Sequence, residues 1–348
     1  MNILFLLFFP GGILLFLYGM HLLSTGLEKI AGRKSRKYLY RMTATPLKGL
    51  LFGTGVTMFL QSSSALSVML IGLVDAGVME LEQTIAILMG SNIGTTLTAW
   101  LFGLAGMKTR HRPFFLYLFQ PEFLIPLTAG LGFLLLLHAS YKRHTHKGPW
   151  RLPDKTLLIQ PSRVLFGFSL LFCGMLIMEK SVYPLANHPG FVGLLTTFKE
   201  PVMGILAGTL FTAIMQSSSA SIGILQALSL TGNITYEIAL PIIFGQNIGT
   251  CATALLSSVG LGKNAKRVGI IHLNINILGT IICLPLLYCG RIGIDYSPIR
   301  FTQTFLHSTV TPLGIALAHS IFNVASALLL MPFIKQLNSL SHWIIKDN

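Results

Sequence analysis

The segment Gln-Ser-Ser-Ser-Ala at residues 61–65 recurs unchanged at residues 216–220. With the same offset of 155 and no gaps, residues 46–99 match residues 201–254 at 23 of 54 positions. Each copy also carries a second polar run downstream of the first, Asn-Ile-Gly-Thr. The chain therefore contains a duplicated unit with two polar clusters in each copy.

The composition around these clusters indicates a membrane protein. Of the 348 residues, 52% are hydrophobic and only 10% are charged, and the mean hydropathy is +0.69. Long apolar runs with few charges are typical of membrane-spanning helices, and the short alternating strands of a β-barrel are not evident. The net charge of +14 comes from Lys and Arg clustered between apolar segments, which is typical of membrane topology signals and not of a nucleic-acid-binding face.

The lengths of the apolar segments predict helices that stop inside the membrane. Residues 47–78 and 201–232 are interrupted at their centres by the Gln-Ser-Ser-Ser segments, which leaves about 13 residues on each side. A helix of that length cannot cross a hydrocarbon core of about 30 Å at 1.5 Å per residue. We therefore predict two re-entrant helical hairpins. Residues 84–104 and 238–258 are long enough to span, but their polar centres predict broken transmembrane helices.

The order of these segments predicts an all-α polytopic membrane protein with two inverted-topology repeats. We assign the first repeat to residues 1–140, a basic cytoplasmic linker to 141–161, and the second repeat to 162–290. Residues 291–348 form an extra C-terminal transmembrane helix and a short tail. A re-entrant hairpin adds no crossing, so each repeat crosses the membrane three times, and the two repeats have opposite orientations.

The positive charges predict which side each segment faces. With the N-terminus outside and the C-terminus in the cytoplasm, 18 Lys and Arg residues lie inside and seven lie outside, as the positive-inside rule favours. The two hairpins then enter from opposite sides, and their tips can meet near the middle of the membrane. Inverted repeats of this kind are typical of secondary transporters.

The chemistry of the tips favours an anion. Ser64 and Ser219 are expected near the start of the second helix of each hairpin, where free N–H groups and the positive end of the helix dipole attract negative charge. Hydroxyl and amide groups supply further hydrogen bonds to a tetrahedral oxyanion, and freed carbonyl oxygens with Ser, Thr and Asn oxygens suit Na⁺. The simpler interpretation is that small polar residues only pack helices together, but that does not require Gln and Asn at equivalent places in both copies.

Two further pairs place His and Asn four residues apart on one helix face: His272 with Asn276, and His319 with Asn323. Interhelical hydrogen bonding and lining of a transport site are both open for them. No nucleotide-binding glycine loop is present, so ATP is not expected to drive the protein directly, and no organic cofactor is expected.

The duplicated segments resemble the type II sodium–phosphate cotransporter family. The resemblance rests on the two Gln-Ser-Ser-Ser segments, each followed by Gly-x-Asn-Ile-Gly-Thr at residues 90–95 and 245–250, and on residues 318–323. It covers nearly the whole chain, and the chain resembles a bacterial member without a soluble C-terminal regulatory domain. One departure is that the first copy has Tyr117 and Pro121 where the second has His272 and Asn276.

The resemblance implies a cell-membrane carrier that couples inorganic phosphate to Na⁺ in an alternating-access cycle. The implied phosphate ligands are Gln61, Ser62, Ser63, Ser64, Asn92, Gln216, Ser217, Ser218, Ser219 and Asn247. The implied Na⁺ ligands are Ser63, Ser64, Asn92, Thr95, Thr96, Ser218, Ser219, Asn247 and Thr250. Residues that could line the site are His272, Asn276, His319 and Asn323.

Several other functions remain open from the residues alone. A carrier of the same kind could export phosphate or carry another oxyanion such as sulfate, arsenate or a carboxylate. An anion channel would need a continuous polar stripe, which two closed hairpin tips do not favour. A serine hydrolase would use one nucleophile and a His base, whereas three adjacent serines in two copies exceed that need, so we expect no enzyme activity.

Overall fold

The computed structural model of the chain describes residues 4–30, 40–105, 121–145, 156–186, 190, 200–230, 232, 234–289 and 304–347. Within these residues the named secondary structure is helical, with one isolated β-bridge between Thr235 and Thr309. The prediction of an all-α protein is confirmed for this part of the chain. The basic segment 31–39, the centre of the predicted linker at 146–155, and residues 106–120 and 290–303 lie outside it.

We number the helices in chain order. They are α1 (Leu4–Ile30), α2 (Pro46–Leu60), α3 (Ser63–Asp75), α4 (Leu81–Ala105), α5 (Pro121–Thr145), α6 (Thr156–Ala186), α7 (Pro201–Met215), α8 (Ser218–Ser229), α9 (Tyr236–Ser257), α10 (Lys263–Cys289), α11 (Pro312–Leu330) and α12 (Ile334–Ile344). A 3₁₀ turn, Met331–Phe333, joins the last two. Helices α5 and α6 thus extend into the predicted linker from both sides.

Each Gln-Ser-Ser-Ser segment ends one helix and begins another, as the sequence predicts. Gln61 and Gln216 adopt left-handed backbone angles, with φ of 51° and 54°, which stop α2 and α7. In the next residue, the Ser62 Oγ accepts a hydrogen bond from the Ala65 N–H at 3.1 Å and so caps α3. The equivalent Ser217 caps α8 in the same way.

The predicted breaks in the two longer helices are wrong. Helices α4 and α9 are continuous through their polar centres. The side chains there bond back to their own helix: the Thr95 Oγ1 donates to the Ser91 carbonyl at 3.0 Å, and the Thr250 Oγ1 to the Gln246 carbonyl at 2.8 Å. These hydroxyls need no unwound backbone to be satisfied.

The glycines of α4 have a packing role that the sequence pattern did not reveal. A side chain on Gly90 would strike the Leu50 carbonyl oxygen of α2, and a side chain on Gly53 would strike the Ile87 carbonyl of α4. Along the whole contact the residue numbers rise together, from Gly49 against Ala86 to Thr57 against Gly94, so the two helices run parallel with their backbones touching. The same contacts recur 155 residues later between α7 and α9.

The start of α2 and the start of α4 lie on the same side of the molecule. A cavity of about 230 Å³ is lined by residues before α2, such as Thr43, and by residues at the start of α4, such as Glu82. Across it, the Gln83 Nε2 donates to the Thr43 Oγ1 at 2.9 Å. Helix α2 has 15 residues and is about 22 Å long, so the turn at Gln61 lies partway along α4.

Helices α1 and α6 also touch through glycines, but they run antiparallel. A side chain on Gly19 would meet the Gly167 carbonyl, and one on Gly174 would meet the Gly12 carbonyl at 2.6 Å. Gly167 and Gly174 are the repeat equivalents of Gly12 and Gly19. Each glycine position therefore contacts the opposite position of the other copy, which is the arrangement that a two-fold axis produces.

The two ends of the helix assembly have different polar contacts. At one end, Arg267 is only 2% exposed, and its guanidinium donates to the Ile345 carbonyl and to Asp347. Hydrogen bonds from Arg267, and to a smaller extent from His342, hold the pKa of the Asp347 carboxyl below its usual value. At the other end, about 33 Å away along the 22 residues of α9, Glu237 pairs with His307 at 3.4 Å.

By length and apolar composition, four helical segments in the described chain can cross a membrane. They are Leu81–Leu101, Tyr236–Ser257, Lys263–Pro285 and Pro312–Ile344. Shorter apolar helices include Pro46–Leu60, Ser63–Asp75 and Pro201–Met215. The two helices of each interrupted pair are therefore too short to cross individually, as the sequence predicts.

The backbone contact at Gly53 can be tested with a substitution two residues away as the control. We expect Gly53→Ala to lower the melting temperature of the detergent-solubilised protein, because the added methyl group meets the Ile87 carbonyl oxygen; overpacking of this kind costs about 1–3 kcal/mol. Gly55→Ala lies on the same helix with no atom within 4 Å of the new methyl and should melt at or above the wild-type temperature. Equal melting of the two variants would contradict the close contact.

Candidate functional site

A small buried cavity lies between the two interrupted helix pairs and takes residues from both copies. Its lining residues are Ser63, Asn92, Thr95, Ser218, Ile222, Gln246, Asn247, Thr250 and His319. Ser63 and Ser218, which are 155 positions apart in sequence, thus face a common space. Its volume is about 10 Å³, close to the least that holds one water molecule.

The two serines are each the first residue of a helix. Ser63 begins α3 and Ser218 begins α8, so two helix starts lie at the cavity. The caps from Ser62 and Ser217 each engage a single N–H, and the first turn of a helix has four without a partner in the helix. Two helix N-termini at one cavity favour negative charge there.

Three of the lining side chains are buried polar groups that have no hydrogen-bond partner. They are the Ser63 Oγ, both polar atoms of the Gln246 amide, and the His319 Nδ1. These residues are exposed by only 2%, 1% and 2%. Leaving such groups unpaired costs about 1–3 kcal/mol each, so a ligand that bonds to them would recover that free energy.

The lining contains no Asp, Glu, Lys or Arg. In the described part of the chain, no group of three or more His, Cys, Asp or Glu residues could hold a metal ion. The cavity therefore offers hydroxyl, amide and imidazole groups with the N–H groups of two helix starts, and it can only receive an ion whose charge these dipoles or a second ion offset.

The predicted site residues are not all at the cavity. Gln216 is turned back: its Nε2 donates to the Ala213 carbonyl at 2.8 Å, and its Oε1 accepts from Thr253 at 2.7 Å. The Gln61 Nε2 is buried without a partner, but Gln61 does not line the cavity. The other predicted ligands that do not line it are Ser62, Ser64, Thr96, Ser217 and Ser219.

The first predicted His–Asn pair lies behind the cavity wall and holds Asn92. The Asn92 Nδ2 donates to the Asn276 Oδ1 at 2.9 Å, and the His272 Nε2 lies 3.3 Å from the Asn92 Oδ1. Since that amide oxygen can only accept, the His272 Nε2 carries the proton and its Nδ1 accepts from the Ser67 Oγ, 3.3 Å away. All four side chains are buried, and together they fix the orientation of Asn92.

The second pair is used differently. His319 lines the cavity itself, whereas the Asn323 Nδ2 donates to the carbonyl of His319 in its own helix at 2.8 Å. Asn247, the repeat equivalent of Asn92, bonds to the Ile243 carbonyl of its own helix at 2.9 Å. The two copies therefore present similar residues to the cavity but support them in different ways.

Sequence reasoning missed two lining residues, Gln246 and Ile222. Gln246 occupies the variable position of the second Gly-x-Asn segment, where the first copy has Ser91. The available signal was that a large amide side chain, Gln246, replaces the small hydroxyl of Ser91 at an equivalent position. Ile222 gave no signal, because an isoleucine in an apolar helix is usual.

The support of Asn92 can be tested by comparing the two His–Asn pairs. We expect Asn276→Leu to lower the melting temperature more than Asn323→Leu, because it leaves the buried Asn92 Nδ2 without an acceptor, at a cost of about 1–3 kcal/mol. Both asparagines are 2% exposed, so the two substitutions bury similar groups. An equal or larger effect of Asn323→Leu would contradict a special role of Asn276.

Comparison with known proteins gives relatives over the whole chain. The Bacillus subtilis protein YqeW is 30% identical over 343 residues, covering 98% of this chain and 99% of that protein. The Escherichia coli protein named "Putative inorganic phosphate export protein YjbB" is 23% identical, over 98% of this chain and 56% of its own length. The sheep (Ovis aries) protein named "Sodium-dependent phosphate transport protein 2A" is 24% identical, over 83% of this chain and 61% of its own.

The chain thus spans little more than half the length of the two relatives whose names mention phosphate. No solved structure gives a significant match. The family model described as "Na+/Pi-cotransporter" matches residues 15–180 and again 170–288, so each match contains one of the two similar segments, 46–99 and 201–254. The chain belongs to the Na⁺/Pi-cotransporter family, a family of phosphate transporters that the sequence resemblance had indicated.

Proposed function

We propose that this protein is a secondary active transporter that carries inorganic phosphate together with Na⁺ across the cell membrane. The observation that carries the proposal is the buried cavity where the helix starts at Ser63 and Ser218 lie with the unpartnered side chains of Gln246 and His319. Phosphate would accept hydrogen bonds from the free N–H groups and hydroxyls of these helix starts.

Phosphate does not fit the cavity as it stands, since a volume of about 10 Å³ holds no more than one water molecule. The interrupted helix pairs have to move apart to admit it. Alternating access requires such rearrangements of the site during its cycle. We therefore interpret this conformation as closed around the site.

The proposal of Na⁺ coupling follows from the lack of charged side chains at the cavity. An oxyanion buried without opposite charge is strongly disfavoured, and Na⁺ entering with it would offset that charge. Candidate oxygen ligands at the cavity are the Ser63 hydroxyl and the hydroxyls and amides of Asn92, Thr95, Ser218, Asn247 and Thr250. The name of the sheep relative, a sodium-dependent phosphate transport protein, supports the same coupling.

We further propose that the two copies are inverted repeats, each with a re-entrant hairpin formed by α2 with α3 and by α7 with α8. The antiparallel glycine contact of α1 with α6 supports a two-fold axis between the copies. Thr43 precedes α2 and Gln83 follows α3, and their side chains are hydrogen-bonded. This contact supports a hairpin that enters and leaves on one side. The end of α3 lies at the Arg267 end, where Asp75 accepts from the Gly262 N–H, whereas α9 begins at the other end, at Glu237. This supports hairpins that enter from opposite sides.

The orientation of the membrane topology can be tested with single introduced cysteines in a cysteine-free variant. Lys346 lies at the Arg267 end of the helix assembly, and His307 lies at the Glu237 end; both are exposed. With the N-terminus outside and the C-terminus inside, a membrane-impermeant maleimide added to intact cells should label His307→Cys and leave Lys346→Cys unlabelled. The reverse labelling would show the opposite orientation, and labelling of both from outside would contradict the two-ended arrangement.

Coupled transport is tested by phosphate uptake into proteoliposomes that contain the purified protein. We expect uptake to rise at least tenfold with an inward Na⁺ gradient over the same vesicles in K⁺. Ser63→Ala and Ser218→Ala should each reduce the rate about tenfold, since each removes a hydroxyl from the cavity. Ser339→Ala, at an exposed position of α12, is the control and should keep the wild-type rate. Uptake that ignores Na⁺ would exclude the coupling.

Export of phosphate is the second candidate, and the name of the Escherichia coli relative favours it. A symporter moves its substrates in either direction, and the gradients decide which. Loading the vesicles with phosphate and reversing the Na⁺ gradient therefore distinguishes the two cases. Efflux that follows the outward Na⁺ gradient identifies one coupled carrier, whereas efflux without Na⁺ identifies a separate export mode.

A further inference from the structure

Two side chains that line the cavity, Gln246 and His319, have buried polar atoms without hydrogen-bond partners. The Gln246 side chain has neither its Oε1 nor its Nε2 engaged, and the His319 Nδ1 is also without a partner. Gln246 is on α9 and His319 is on α11, and both line the cavity. With its proton on Nε2, a neutral His319 imidazole accepts through Nδ1, and an amide oxygen accepts two hydrogen bonds.

The equivalent wall of the first copy is different. Ser91 stands where the second copy has Gln246, and it accepts a hydrogen bond from the Thr57 hydroxyl at 2.9 Å. In the second copy, the equivalent Thr212 donates instead to Ser221 at 2.8 Å, so it leaves Gln246 free. The two copies therefore differ at this position: Gln246 of the second copy is free, whereas Ser91 of the first is engaged, and the free group that the first copy supplies to the cavity is the Ser63 hydroxyl.

Free acceptors are the wrong groups for an oxyanion that offers only lone pairs. Hydroxyls and backbone N–H groups donate to any tetrahedral oxyanion and do not tell one from another. Phosphate near neutral pH keeps at least one proton on oxygen, whereas sulfate keeps none. A buried acceptor is satisfied by the O–H of phosphate, but it is left unpaired and faces a negative oxygen when sulfate is bound.

We propose that Gln246 and His319 accept hydrogen bonds from the protonated oxygen of phosphate and so make the site select phosphate over sulfate. The inference rests on the proposed function, since it concerns the substrate of the same cavity. Arsenate also carries an O–H near neutral pH, so this pair does not reject it. A site built to hydrogen-bond a substrate O–H discriminates strongly against an analogue without it.

The test measures equilibrium binding of radiolabelled phosphate to the detergent-solubilised protein in Na⁺, with unlabelled sulfate and arsenate as competitors. For the wild type we expect arsenate to displace phosphate at concentrations similar to those of phosphate itself, and sulfate only at concentrations at least 100-fold higher. Gln246→Met and His319→Leu remove one acceptor each. In each variant the preference for phosphate over sulfate should fall about 10-fold to 100-fold.

Two further variants separate selectivity from folding. His319→Gln keeps an acceptor and should keep most of the preference that His319→Leu loses. Gln226→Met changes another buried glutamine, which does not line the cavity. Its Oε1 is without a partner, and its Nε2 donates to the Ala99 and Pro312 carbonyls. It should lower the melting temperature and leave the phosphate-to-sulfate ratio unchanged.

The outcomes distinguish the inference from the proposed function. If the wild type does not bind phosphate, the proposed function fails. If it binds phosphate and sulfate competes equally well, the function stands and the inference is wrong. If Gln246→Met and His319→Leu weaken both anions in parallel, these residues support the fold only, and the inference is again overturned.

Discussion

A helix that stops inside the protein at a glutamine in a left-handed conformation is the constraint on which the rest of the structure depends. This conformation is unusual for a residue other than glycine and costs about 1–3 kcal/mol, and it occurs at Gln61 and again at Gln216. A new helix begins two residues later in each case, and the N–H groups of its first turn need partners. The caps, the polar lining and the cavity all follow from that need.

Close backbone packing holds the interrupted helices in place beside continuous ones. Gly53 and Gly90 let α2 and α4 touch without side chains between them, and the second copy repeats the arrangement. This contact sets the depth of each tip against its neighbour, so that Ser63 lies beside Asn92 and Thr95 of α4. Glycine thus acts here through the space it leaves and not through its flexibility.

The two copies have similar helices, but equivalent residues at the cavity make different contacts in each copy. Asn92 is held by Asn276 and His272 from α10, while Asn247 bonds only within α9. Gln246 replaces Ser91, and His319 comes from α11, which has no counterpart in the first copy. In the proposed site, this difference gives Gln246 and His319 the role of accepting from a protonated phosphate oxygen, while the helix starts donate to the other oxygens.

The sequence alone determined the all-helical class, the duplication and the positions of both helix interruptions, because segment length, hydropathy and the Gln-Ser-Ser-Ser spacing are properties of neighbouring residues. It also led to the transporter family through the same segments. It was wrong about α4 and α9, where Gly, Thr and Asn suggested unwinding. Those residues are compatible with a continuous helix once a second backbone lies against the glycines and the hydroxyls bond to carbonyls one turn back.

Only the tertiary structure decided which polar side chains remain available. Of the predicted ligands, Gln216 is engaged by Thr253 and Ala213, whereas Ser63 and the unpredicted Gln246 are buried without partners. Spacing along the chain cannot distinguish these cases, because each depends on contacts between helices that are distant in sequence. The sequence therefore identified the segments of the site, and the packing of helices from both copies determined the groups that face its centre.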